Sequence, residues 1–67
     1  MEGWQQVYAS DQPHLIQVAM AILQENDIRA VELNQKDSSY ITVGEIGLYV
    51  PVEVAPLALV ILEQHHL

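Results

Sequence analysis

Asp37-Ser38-Ser39-Tyr40-Ile41-Thr42-Val43-Gly44-Glu45-Ile46-Gly47-Leu48-Tyr49-Val50 is the stretch whose reading decides the fold. It is a polar turn that feeds a glycine-punctuated strand. Asp and Ser side chains bond nearby backbone groups and favour reversals, so Gln35 to Ser39 reads as the turn of a hairpin. Beyond it, Ile46, Leu48 and Val50 share one face, and Glu45, Gly47 and Tyr49 share the other. That period of two belongs to a half-buried strand. Tyr40 to Val43 can extend the hairpin, and the glycines permit a bulge or tight bend.

Before this segment, Ile28 to Asn34 alternates too. The pattern predicts a strand with Val31 and Leu33 inward and Arg29, Glu32 and Asn34 outward. Asn26-Asp27 precedes it as a helix exit, since both residue types tolerate the left-handed conformation better than most. The helix that ends there starts at Pro13, capped by Ser10 or Asp11. Leu15, Val18, Ala19, Ile22 and Leu23 recur on its inner face. Further back, Trp4 to Ala9 alternates as a first strand, with Val7 and Ala9 on one face and Trp4, Gln6 and Tyr8 on the other. After Val50, a second helix fits Glu53 to about His65, with Pro56 confined to its first turn.

The order strand, helix, strand, strand, helix, with a right-handed crossover between the first two strands, lets the third strand slot between them. The expected fold class is α+β, a two-layer βαββα sandwich. It has a three-stranded antiparallel sheet with two helices on one face and a ferredoxin-like arrangement. All 67 residues form one domain, and a chain this short buries only about 60% of the surface its unfolded form exposes. With no cysteine to staple it, association is the expected source of extra stability. The absence of cysteine also fits a cytoplasmic location.

Nine carboxylates face only Arg29 and Lys36, for a formal net charge of -7. Phosphate binding needs clustered Lys and Arg, so nucleic acid is excluded as a partner. The start of the chain shows no signal-peptide pattern, and the longest apolar run, Val54 to Leu62, is far below the ~20 residues of a membrane span. No membrane partner is expected.

Four blocks together carry a family resemblance: Trp4 to Tyr8 ahead of a helix; Leu23-Gln24-Glu25-Asn26-Asp27-Ile28 at its exit; Asp37-Ser38-Ser39-Tyr40; and Gly44-Glu45-Ile46-Gly47-Leu48-Tyr49-Val50. With Ala55, Ala58, Ile61 and Leu62 in the last helix, they resemble a bacterial domain-of-unknown-function family. That family is described as prokaryotic signal-transducing proteins with a fold like part of the PII-type signal proteins. The resemblance implies a PII-like sandwich and no enzymatic activity. Where the family has glycine at the first helix exit, this chain has Asp27. Where the family's last helix is charged outside, this chain has Val52, Val54, Leu57, Leu59 and Val60.

The candidate sites are surfaces. On a helical wheel Leu57, Ala58, Ile61 and Leu62 point one way, and Leu59 and Val60 extend the apolar arc beyond what one sheet covers. These two are candidate interface residues, as are Trp4, Tyr8 and Tyr49, an aromatic patch expected on the open sheet face beside Gln6 and Glu32. Asp37, Ser38, Ser39 and Tyr40 form a weaker candidate ligand loop. No nucleophile elbow surrounds either serine, and Gly44-Glu45-Ile46-Gly47 precedes a strand where a phosphate cradle precedes a helix. His65-His66 invites a metal site with His14 or Glu63, but adjacent helical residues diverge and do not chelate together, so the pair reads as a frayed, solvated end near the negative end of the helix dipole. No catalytic residue, cofactor or metal is expected. The expected function is a non-enzymatic interaction or regulatory module that pairs with itself or with a protein partner. The alternative is a small-molecule sensor using the loop from Asp37 to Tyr40.

Overall fold

In the computed structural model, residues 2–34 and 45–67 are described, and the Asp37 to Tyr40 loop and Gly44 lie outside them. The elements run in the expected order. They are β1 (Trp4–Ser10), α1 (Pro13–Glu25), β2 (Val31–Asn34), β3 (Ile46–Pro51), a 3-10 turn at Val52–Val54, and α2 (Ala55–Gln64). The sheet order is β1-β3-β2, with β3 antiparallel to both neighbours. The fold is an α+β sandwich of the ferredoxin-like kind.

β3 is central because it is the strand that can be buried on its inner face along its whole length. Leu48 and Val50 are fully buried and Ile46 packs beside them, as the alternation predicts. Against them α1 contributes Ile16, Ala19 and Leu23, and α2 contributes Ala55, Ala58, Ile61 and Leu62. The small residues Ala19, Ala55 and Ala58 let the helix backbones approach the sheet and each other, which suits a core with little volume to fill.

Both helices begin with proline in the first turn, where its missing N–H leaves no bond unmade. Neither helix has a side-chain cap, and for α1 this departs from the cap expected of Ser10 or Asp11. The N-cap of α1 is Gln12, and Ser10 instead accepts a hydrogen bond from the Gln12 N–H at 3.0 Å, holding the turn before the helix.

Both helices end alike. At α1 the Ile28 N–H reaches the Leu23 carbonyl at 2.9 Å and the Asp27 N–H reaches that of Gln24 at 3.0 Å. Asp27 has a φ of 60°. This is a Schellman motif, with buried Ile28 and Leu23 making its hydrophobic contact. At α2 the Leu67 N–H bonds the Leu62 carbonyl at 3.1 Å, the His66 N–H bonds that of Glu63 at 3.0 Å, and His66 also has a φ of 60°. Leu67 packs on the core. His65-His66 is therefore not a frayed end but a second ordered stop, because an apolar residue follows and anchors the turn.

Two strand readings are corrected. The ladder between β1 and β3 pairs Gln6 with Tyr49 but Tyr8 with Leu48, so Val7 is an extra residue in a β-bulge. A bulge shifts the alternation beyond it. Tyr8, expected on the open face with Trp4, turns to the helix side and packs on the core beside buried Val7. In β2, Val31 pairs with Tyr49 and Leu33 with Gly47, whereas Glu32 pairs with Leu48. Directly opposed residues share a face, so Val31 and Leu33 lie on the open face and Glu32 on the helix side. Ile28 supplies the buried position of this segment, and Ala30 packs half-buried against the core. At the sheet edge the helix layer ends, so Glu32 stays exposed and accepts a long hydrogen bond, 3.4 Å, from Gln17 Nε2 of α1.

Candidate interaction surfaces

The open sheet face gathers Trp4 and Gln6 from β1, Gly47 and Tyr49 from β3, and Val31 and Leu33 from β2. Its centre is a small assembly built on Gly47. The Tyr49 ring lies over this glycine, and the Tyr49 hydroxyl donates to Gln6 Oε1 at 2.9 Å. A Cβ on residue 47 would sit 2.9 Å from Tyr49 Cε1 and 3.2 Å from Gln6 Oε1. The glycine is needed for close approach, since an exposed-face aromatic covers it in place of a side chain of its own. This arrangement buries Gly47 on a face that no helix covers.

Of the three aromatics expected together, Trp4 and Tyr49 share this face and Tyr8 does not. The aliphatic contribution of Val31 and Leu33 was not anticipated. The bulge at Val7 and the polar inner side of β2 have no signal in simple alternation. A turn-rich segment with Glu and Asn at every second position is compatible with either facing.

The second surface lies on α2 and its approach. Leu57, Leu59 and Val60 are 53%, 43% and 50% exposed, and Val52 in the 3-10 turn is also exposed. Leu59 and Val60 stand outside the core as expected. Leu57, placed inward on the wheel, lies outside the core as well. The buried arc is centred on Ala55, Ala58 and Leu62, which leaves Leu57 on one flank and Leu59 on the other.

The described residues contain no pocket and no group of three side chains suited to hold a metal ion. No described helix is long and apolar enough to cross a membrane. Comparison with known proteins found no match: no family model, curated protein or solved structure matches this chain.

Proposed function

We propose that this chain is a small non-enzymatic interaction or regulatory module, of the signal-transducing kind its resemblance implies. It acts by presenting its open sheet face to an apolar, uncharged surface of a protein partner. The observation that carries this reading is the character of that face. In a chain of net charge -7, the strand residues Trp4, Gln6, Gly47, Tyr49, Val31 and Leu33 include no charge, and two are large aromatics. Depletion of charge and enrichment of aromatics mark the cores of protein interfaces. A cysteine-free composition supports a cytoplasmic setting. The sensor alternative would use the Asp37 to Tyr40 loop, and nothing in the described residues favours it.

The test is capture of a partner from the native cytoplasm by the wild-type chain beside Leu33→Asp and Trp4→Ala variants, with folding checked by circular dichroism. A partner held by wild type and lost by both variants is the expected result. Capture that neither variant disturbs would move the binding surface elsewhere and overturn the reading.

A further inference from the structure

We infer that two copies of this chain join side by side through the outer edge of β1, making one continuous sheet. This does not depend on the open face serving another partner. Among the described residues β1 has a single neighbour, β3, and its outer row of backbone groups faces away from that sheet. Among the described residues, no backbone–backbone hydrogen bond beyond the β3 ladder involves Trp4 to Ser10. Such an edge is a template for another strand.

The two edges of this sheet differ. β2 is only four residues long and carries Glu32 on its helix side, a charge that blunts edge pairing. β1 has seven residues, Trp-Gln-Gln-Val-Tyr-Ala-Ser, without a charge or a proline. The bulge at Val7 divides this edge, so pairing uses the extended halves on either side of it.

The occupant follows from charge and symmetry. Two chains of net charge -7 repel, and they can meet most easily where neither brings a carboxylate. β1 is such a segment on both. A two-fold axis normal to the sheet sets β1 antiparallel to its copy and leaves both helix layers on the same side.

The helix layer agrees. Both helices pack on β1 and β3, and α1 alone reaches β2, through Gln17 and Glu32, so α2 lies on the β1 side of α1. In a right-handed helix whose buried arc is Ala55, Ala58, Ile61 and Leu62, Leu57 then falls on the flank toward α1. Leu59 falls on the far flank, above the free edge. The same two-fold axis brings this exposed side chain toward its copy, so one operation covers both the unpaired strand and the unpartnered flank.

Sedimentation equilibrium from micromolar to millimolar chain, with NMR on a mixture of labelled and unlabelled copies, tests the inference. The expected result is a dimer with Hα contacts between the two β1 strands. Leu59→Glu should weaken it about tenfold or more, whereas Leu33→Glu, on the other face and edge, should leave it unchanged. Both positions are exposed, and circular dichroism confirms that the variants fold. A wild-type chain that stays monomeric at millimolar concentration overturns the inference and leaves the proposed function standing. A dimer lost with Leu33→Glu and lacking contacts between β1 strands would assign self-association to the open face instead.

Discussion

Asp27 shows how one residue can be tolerated in a place made for another. Its φ of 60° costs an L-residue about 1–2 kcal/mol, and its exposed side chain makes no hydrogen bond among the described residues. The Schellman bonds are made by the backbone, so glycine keeps them. Glycine also raises the entropy of the unfolded chain, which offsets about 0.4–1 kcal/mol of the relief. Asp27→Gly should therefore be neutral or stabilise by up to about 1 kcal/mol in urea melts. A clear loss would show that the carboxylate contributes to the stop. His66, with the same φ, obeys the same argument. The first of these positions is readable from sequence, since Asn26-Asp27 follows a clean apolar repeat and precedes Ile28. The second is not, because a stop near the chain's end is identified only by where Leu67 packs.

Between elements, the facing of β2 is the feature most at odds with simple patterning. A strand with Val31 and Leu33 on one side would be expected to bury them. Burial, however, depends on whether a helix lies above, and at this edge Gln17 of α1 is what reaches the inner side. Leu33→Thr should thus change stability by less than about 0.5 kcal/mol, while Leu23→Ala, in a fully buried position, should cost about 2–5 kcal/mol. Chemical denaturation of the two variants at equal chain concentration checks this. A large loss at Leu33 would mean that the open face is already covered in solution. In β1, alternation alone was misleading because one inserted residue, Val7, exchanges the two faces for everything after it. In α2, the apolar arc is wider than the buried one, leaving Leu57, Leu59 and Val60 exposed, and its centre is fixed only by the burial of Ala55, Ala58 and Leu62.

For the molecule as a whole, charge and size act in the same direction. Nine carboxylates against two cationic side chains press outward on a small core, and salt screens that repulsion over a Debye length of about 10 Å at ~0.1 M. Raising sodium chloride from low to moderate concentration should raise the melting temperature and tighten the β1-joined dimer together. Thermal melts and sedimentation in parallel measure both. A melting temperature that falls with salt would show that attractive ion pairs dominate.

By itself the sequence determined the element order, the buried side of β3, the proline-led helix starts, the first helix stop and the acidic, cysteine-free character of the chain. These follow from local spacing and residue chemistry. The facing of β2, the side taken by Tyr8, the ordered end at His66 and the exposure of Leu57 were decided only by the tertiary structure. Each depends on whether another element lies across from the residue, and a periodic pattern records which side chains move together without saying which group is covered.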